Sequence, residues 1–328
     1  MSALVAAKRA TVLRRAAIRA TLAPSVHNTQ PWRFHLRDGQ LDVFVDRTRQ
    51  LTVLDPTTRQ MIISCGCAVM NARVAMAGEG VGLEVRRHPD PAQPDLLASL
   101  VPADEPPDDD LASLDPAIEV RQTNRREFVA DDVPPDLLEM LEAAATAEGA
   151  ALVVVRDPDK RVAVAALSQH ADDVENLNPA YRAELRAWTA DGAVRRDGAP
   201  DLTVPYVSGT SPDEISIRDI DPRGSGGASS TARSSKDQCL VLLCTSTDTP
   251  GDWLRAGEAL ERVLLEIARH GFAASALTQI AEVPSARAEL RRELALTGFP
   301  HVLLRIGRAP ATPASRRRRL VDMLLEEN

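Results

Sequence analysis

Apolar positions are densest in the segment at residues 61–77. Side chains there are apolar almost all round, and Arg73 is the only charged one. A helix that is apolar on every side has no face to turn towards water. The pattern therefore predicts a central helix that is buried on every side.

A second segment, residues 253–269, has regularly spaced polar positions and predicts an amphipathic helix with one solvent-exposed face. Its glycines repeat those of the first segment, since Gly80 follows Gly66 by 14 residues and Gly271 follows Gly257 by 14 residues. The repetition indicates two related halves, although two unrelated amphipathic helices would give a similar pattern. Short β-like stretches follow in both halves, at residues 83–86, 96–101 and 301–307. The side chains expected on the solvent-exposed face of the helix at 253–269 are Arg255, Glu258, Glu261, Arg262, Glu266 and Arg269.

The junction between the first helix and the first strand is rich in hydrogen-bonding side chains. A predicted helix ends at Pro24, and a predicted strand begins at Trp32. Between them lie the hydroxyl of Ser25 and the amides of Asn28 and Gln30. These groups can pair with the carbonyl and imide edge of a planar heterocycle. The alternative is a capped turn that leads into a strand, with Trp32 in the core.

Two other segments carry positive charge suited to an anionic group. In an extended segment Arg121, Thr123 and Arg125 face the same way, because alternate residues share a side. Residues 316–319 are four consecutive arginines near the end of an acidic chain. Forked guanidinium donors suit phosphate oxygens, whereas a solvated tail is the alternative for the arginine run.

Composition limits the function classes. The chain has 328 residues, of which 44% are hydrophobic and 26% charged, with a net charge of −8. No apolar run reaches the roughly 20 residues that cross a bilayer, and the acidic balance argues against general nucleic-acid binding. The basic residues at 8–19 resemble a transit peptide, but they lead directly into the junction, so we expect a mature cytoplasmic protein. The four cysteines match no zinc spacing and are predicted to be core side chains.

The junction carries a family resemblance. Pro24-Ser25-x-x-Asn28-x-Gln30-Pro31-Trp32 resembles the corresponding segment of the nitroreductase superfamily of FMN-dependent oxidoreductases. Residues 55–59, 121–126 and 253–259 are similar to the Acg-like branch, in which two fused halves take the place of a dimer. The resemblance implies an α+β, nitroreductase-like fold: two related α/β halves form an intramolecular pseudo-dimer with mixed, mainly antiparallel sheets. We expect the halves at residues 1–117 and 118–328, with an acidic, proline-rich connector at residues 89–116.

The resemblance also implies where FMN binds. The loop at residues 24–30, which we call the Pro-Ser loop, would meet the arginine elements of the second half. Each half lacks the other's element, so we predict one FMN per chain. Near the flavin N5 this chain has Thr278 and Gln279, where the family has an acidic residue and a glycine. The residues implied for FMN binding are Pro24, Ser25, Val26, Asn28, Arg121, Thr123, Arg125, Leu277, Thr278, Arg317, Arg318 and Arg319.

The implied activity is hydride transfer from NAD(P)H through flavin N5 to a small aromatic or nitro acceptor. This chemistry needs neither a protein nucleophile nor a metal, and we expect His27 to form hydrogen bonds or pack. A long Gly- and Pro-rich insertion at about 190–236 is expected to act as a lid. A lidded site leaves an alternative open, in which the protein sequesters or stores FMN with little turnover. We expect a monomer, built as an intramolecular pseudo-dimer, that binds neither nucleic acid nor membrane; the sequence leaves further association between chains open.

Overall fold

The first half of the chain forms a four-stranded sheet with two long helices. The computed structural model describes residues 3–37, 39–126, 128–129, 132–190, 195–200, 215, 218 and 238–325. The helix and the strand predicted on either side of the Pro-Ser loop are both present. The elements of this half are α1 (Ala3–Ala20), β1 (Trp32–Arg37), β2 (Gln40–Val45), α2 (Arg59–Gly78), β3 (Gly82–Arg87), β4 (Leu96–Ala103), α3 (Asp109–Ala112) and α4 (Ala117–Val120).

The second half repeats this plan with added helices. Prolines at the first turns of α5, α6, α7, α8 and α10 suit helix starts, because proline lacks the N–H that would be unpaired there. The elements are α5 (Pro135–Ala147), β5 (Ala151–Val154), α6 (Pro158–Asn176), α7 (Pro179–Trp188), β6 (Thr189–Ala190), β7 (Ala199–Pro200), β8 (Cys239–Thr245), α8 (Pro250–Arg269), β9 (Ala273–Leu277), α9 (Gln279–Glu282), α10 (Pro284–Glu293) and β10 (Phe299–Gly307).

The two main sheets share one topology. Their strand orders are β1-β2-β4-β3 and β5-β8-β10-β9, and every neighbouring pair in both is antiparallel. The two-residue strands β6 and β7 pair in parallel. The second half differs by what it inserts between β5 and β8 and between β9 and β10. This arrangement confirms the α+β class and the two related halves.

The predicted central helix is α2. Every residue of α2 is buried except Arg73 and Gly78. It packs most extensively against α8, and the two helices cross at Gly66 and Gly257. By length and composition α2 could span a membrane, but 89% of its most apolar window is buried inside the molecule. This burial identifies it as the core helix of the fold.

The prediction of a solvent-exposed face on α8 is wrong for its glutamates. Glu258 and Glu261 are fully buried, and Glu266 is 7% exposed. Arginines from other elements pair with the first two: Arg87 Nε lies 2.6 Å from Glu258, and Arg121 Nε lies 3.1 Å from Glu261. Helical periodicity separates polar from apolar faces, but it cannot tell water from a charged partner elsewhere in the chain.

The ends of the second half extend along both sheets. Phe34 N donates to Met323 O at 2.9 Å, so the C-terminal segment pairs with β1. Asn124 N donates to Ala274 O at 2.9 Å, which places the segment around residues 121–129 beside β9. The predicted half boundary falls at the first residue of α4 and remains a prediction. The lid predicted at 190–236 lies outside the described residues, apart from residues 190, 195–200, 215 and 218.

Candidate functional site

A cavity lies between the two halves, beside the first turns of α2. It encloses about 760 Å³ of empty space, open mouth included. The Pro-Ser loop and α2 contribute from the first half, and the segment at 123–125, β9, α9 and β10 contribute from the second. Its lining residues are Pro24, Ser25, Val26, His27, Gln60, Ile63, Ser64, Cys67, Thr123, Arg125, Arg218, Leu260, Ser275, Ala276, Leu277, Thr278, Gln279 and Val302.

The Pro-Ser loop has an unusual backbone. His27, Asn28 and Gln30 take positive φ angles of 50°, 55° and 50°, a left-handed conformation that costs energy for residues other than glycine. Two hydrogen bonds hold it, one within the loop from Gln30 N to Ser25 Oγ at 2.9 Å and one to α2 from Val26 N to Ser64 Oγ at 3.4 Å. A strained loop fixed this firmly keeps its backbone and side chains in one arrangement at the cavity wall.

The buried helix α2 contributes polar groups that the sequence motifs did not indicate. Gln60, Ser64 and Cys67 lie on one face of α2 and line the cavity. Gln60 Nε2 is buried and has no hydrogen-bond partner among the described residues, and the same holds for Ser275 Oγ on β9. Unpaired buried donors of this kind are costly unless a ligand completes them. A polar stripe at i, i+4 and i+7 in an otherwise apolar helix was the available sequence signal.

Arg125 is a cation on the wall of the cavity. Its segment is positioned by the pairing of Thr123 with Ala274 of β9. Within the described part of the chain Arg125 makes no hydrogen bond or ion pair. Burial and the nearby Arg218 lower the pKa of Arg125 to about 10. An unpaired cation beside unpaired neutral donors favours a ligand with a negatively polarised edge.

Arg218 and His27 close another wall of the cavity. Arg218 Nη1 donates to His27 Nε2 at 3.0 Å, while its Nη2 contacts the carboxylates of Glu282 and Glu175. Burial and the positive charge of Arg218 hold the pKa of His27 well below its usual value. His27 is therefore a neutral hydrogen-bond acceptor, in keeping with a packing role.

Asn28 of the Pro-Ser loop forms a cluster with two other predicted residues, Arg121 and Arg317, which we call the arginine cluster. Arg317 Nη1 donates to Asn28 Oδ1 at 3.0 Å, and both arginines donate to Leu22 O, at 3.1 Å from Arg121 and 3.3 Å from Arg317. Burial, together with Arg121, lowers the pKa of Arg317 to about 9. Burial raises the pKa of the adjoining Glu261 to about 7, against the opposing effect of Arg121.

The structure separates the remaining predicted arginines. Arg318 holds the back of the loop, where its backbone N–H donates to Gln30 Oε1 at 2.8 Å. Arg319 is largely exposed and pairs with Asp322 at 2.9 Å, outside both the cavity and the arginine cluster. Pro24, Ser25, Val26, Thr123, Arg125, Leu277 and Thr278 come together at the cavity, and Asn28, Arg121 and Arg317 lie beside it.

These features define a class of protein. A cavity between two related halves offers donors and a cation to a planar polar edge, apolar walls to its faces, and nearby arginines to an anionic group. Within the described residues no group of His, Cys, Asp or Glu is arranged to hold a metal ion. The arrangement fits a protein that binds a flavin nucleotide or a similar heteroaromatic phosphate.

Comparison with known proteins gives the family. No family model matches the chain. It is 32% identical over 328 residues to "Putative NAD(P)H nitroreductase acg" of Mycobacterium tuberculosis, covering 95% of this chain and 94% of the relative. It is also 33% identical over 295 residues to a second protein of that organism named a putative NAD(P)H nitroreductase, covering 89% and 83% of the two chains. The chain belongs to the nitroreductase family, in its Acg branch.

Solved structures show a more distant likeness. A Bacteroides fragilis nitroreductase with bound FMN gives a TM-score of 0.37 at 13% identity, over 63% of this chain and 93% of that one. A Desulfitobacterium hafniense nitroreductase with bound FMN gives a TM-score of 0.40 at 11% identity, over 64% and 96%.

Proposed function

We propose that this protein is an oxidoreductase of the nitroreductase type that binds one FMN in the cavity between its halves. The observation that carries the proposal is that Arg125, Gln60 Nε2 and Ser275 Oγ surround one cavity and have no hydrogen-bond partner among the described residues. The isoalloxazine ring has carbonyl oxygens that accept hydrogen bonds, and the guanidinium of Arg125 would stabilise negative charge on that edge of the ring. FMN would supply hydride transfer from NAD(P)H to a small aromatic or nitro acceptor.

The chain's own residues have distinct parts in this proposal. Gln60, Ser275 and Arg125 would bind the polar edge of the ring, while Ile63 and Leu260 offer apolar packing. The arginine cluster would bind the phosphate, since two forked cations already converge there. The names of the two mycobacterial relatives support NAD(P)H as the electron donor.

The proposal includes a single flavin per chain. Cys67 at the cavity corresponds to Glu258 in the other half, because each directly follows one of the paired glycines. Thr278 corresponds to Arg87, because Thr278 is the sixth residue counted from the start of β9 and Arg87 the sixth from the start of β3. The mirror position of the cavity is therefore occupied by Glu258 and Arg87, joined by Arg73, Glu148 and Arg262 in a buried ion network. A ring could enter there only by displacing charges that already satisfy one another.

The experiment that tests the proposal measures flavin content and reduction. The purified protein, incubated with FMN and freed of excess, should show oxidised-flavin absorbance at one FMN per chain. Anaerobic NADH or NADPH should then bleach that absorbance. A protein that stays colourless after incubation contradicts FMN binding, and a coloured protein that neither nicotinamide bleaches contradicts the oxidoreductase activity.

Flavin storage is the second candidate function. Arg218, from the segment expected to form a lid, lines the cavity and is anchored by Glu282 and Glu175 on the second half. A wall anchored by buried ion pairs favours restricted access for bulky acceptors. Storage predicts tight FMN binding together with very slow bleaching, and Glu282→Gln would then speed the bleaching by loosening Arg218.

A cytoplasmic location and a monomeric state complete the proposal. All four cysteines are unpaired, as is usual in a reducing compartment. The two halves already provide both sides of the cavity, so a second chain is not needed to complete the site. Sedimentation of the holoprotein as a species near 35.5 kDa would support the monomeric state, and sedimentation as an obligate dimer would contradict it.

A further inference from the structure

A second cavity lies on the other side of the first turn of α2. It encloses about 1010 Å³ of empty space, open mouth included, and it lies between the segment at 54–59, α9, α10 and the start of β10. Its walls are partly apolar and aromatic, with Trp253 and Phe299 among them. Arg59 lines this cavity and the next residue, Gln60, lines the first one. On α9, Glu282 lines this cavity and Gln279 lines the first, so the two cavities share a wall.

Most charged groups of this second cavity already have partners. Arg287 makes a bidentate pair with Asp248 at 2.7 and 3.0 Å and donates to Pro300 O at 2.8 Å. Asp55 Oδ2 accepts from Met61 N at 2.9 Å and so caps α2. Their charges and hydrogen bonds are largely satisfied inside the protein.

Glu282 and Arg291 are also engaged. Glu282 holds Arg218 through Oε2, while its buried Oε1 has no hydrogen-bond partner among the described residues. Arg291 stacks on Phe299 at 4.0 Å from the ring centre and donates to Thr297 O at 3.2 Å. These contacts leave Arg59 as the cation of this cavity with the fewest partners.

Arg59 is 7% exposed, yet its one hydrogen bond to a described residue runs from Nη2 to Ala281 O. Its Nε is buried without a partner among the residues that the structure describes, and burial lowers the pKa of Arg59 to about 10. A nine-tenths buried guanidinium with five donors is costly when only one carbonyl accepts from it. An anion that reaches Arg59 would compensate this cost.

We propose that the second cavity binds a small aromatic monocarboxylate, whose carboxylate pairs with Arg59 and whose ring packs against the wall of Trp253 and Phe299. A carboxylate suits the planar fork of an arginine. The acids Asp55, Asp248 and Glu282 on the same walls oppose phosphate and dicarboxylates, because these would add a second negative charge. The apolar wall disfavours small hydrophilic anions such as acetate.

The test uses the full-length protein and isothermal titration calorimetry with benzoate, benzamide and inorganic phosphate as probes. Benzoate should bind, whereas benzamide, its neutral analogue, and phosphate should bind at least about tenfold more weakly. Arg59→Gln should weaken benzoate binding by about tenfold or more. The same substitution at exposed Arg292 on α10 is the matched control and should leave binding unchanged.

A second variant tests the location without removing a charge. Ala288 is exposed and lines the cavity, so Ala288→Trp should fill the space and abolish benzoate binding while the protein stays folded. The proposal is overturned if the parent protein does not bind benzoate, if benzamide binds equally well, or if either Arg59→Gln or Ala288→Trp binds benzoate as the parent does. Circular dichroism of both variants separates loss of binding from loss of fold.

Discussion

Gly66 and Gly257 touch each other where the central helices cross. A Cβ on Gly66 would lie 2.2 Å from Leu254 O and 2.8 Å from Gly257 Cα, and a Cβ on Gly257 would lie 2.0 Å from Ile63 O and 2.8 Å from Gly66 Cα. Each glycine thus meets the carbonyl three residues before its counterpart. The contact is symmetric, so the sequence repeat corresponds to a local two-fold relation between the halves.

Replacing either glycine with alanine should destabilise the whole molecule. The new methyl group would overlap backbone rather than a flexible side chain, so α2 and α8 must move apart, at a cost of about 1–3 kcal/mol. Chemical denaturation of Gly66→Ala and Gly257→Ala measures the change. Gly251→Ala is the control on α8, because its Cβ would have 3.8 Å to the nearest atom. Equal stability of all three variants would contradict the tight crossing.

The same glycines explain how much of the fold could be predicted. Their equal spacing reflects a geometric need for close helix approach, so the repeat and the buried helix were visible in the sequence. The surroundings of α8 were not, because Glu258 and Glu261 match a solvent-facing pattern while their partners Arg87 and Arg121 lie far away in the chain. Periodicity describes one element, whereas burial depends on what packs against it.

The candidate site divides along the same line. The Pro-Ser loop was predictable because its residues are contiguous, and Thr123 and Arg125 because alternate residues share a face. Ser275 and Arg218 come to the cavity only through tertiary folding. In the arginine run, Arg317 and Arg319 are two residues apart but lie in different surroundings. Arg317 contacts Asn28 beside the cavity, whereas Arg319 pairs with Asp322 outside it.

The two arginine locations should discriminate FMN from riboflavin. Arg317→Ala removes a cation from the arginine cluster, so it should weaken FMN binding by about tenfold or more and leave riboflavin binding unchanged. Arg125→Ala should weaken both ligands, because Arg125 lines the cavity proposed for the ring. Flavin fluorescence titration measures all four affinities.

Arg319→Ala is the control for this comparison. Arg319 is exposed and pairs with Asp322, so its removal should change neither affinity. If Arg317→Ala weakened riboflavin as much as FMN, the assignment of the arginine cluster to the phosphate would be wrong.

The buried ion network at the mirror position should be essential for stability. Glu258→Ala would leave Arg73 and Arg87 without their shared carboxylate, and breaking a buried pair from one side costs about 3–5 kcal/mol. Glu84→Ala on β3 breaks an exposed pair with Arg86 and should have no measurable effect. Urea denaturation compares the two. Equal effects would show that the network contributes no more than a surface pair.

Glu261 should take up a proton when FMN binds. Its pKa is raised to about 7 by burial, so between its usual pKa and pH 7 the folded protein holds a proton that the unfolded chain has released. The contribution of this group to stability is therefore present at low pH and is lost as pH rises through 7. A phosphate dianion beside Arg121 and Arg317 would add negative charge nearby and raise the pKa of Glu261 further.

In the FMN-free protein at pH 8, Glu261 is mostly ionised. The phosphate of FMN in solution is already a dianion at this pH. Calorimetric titration of FMN in two buffers with different ionisation enthalpies should therefore report uptake of up to about one proton. Riboflavin, which lacks the phosphate, should cause no uptake, and Glu261→Gln should abolish the uptake with FMN. Uptake that persists in Glu261→Gln, or that riboflavin also produces, would assign the proton to another group and separate Glu261 from the phosphate.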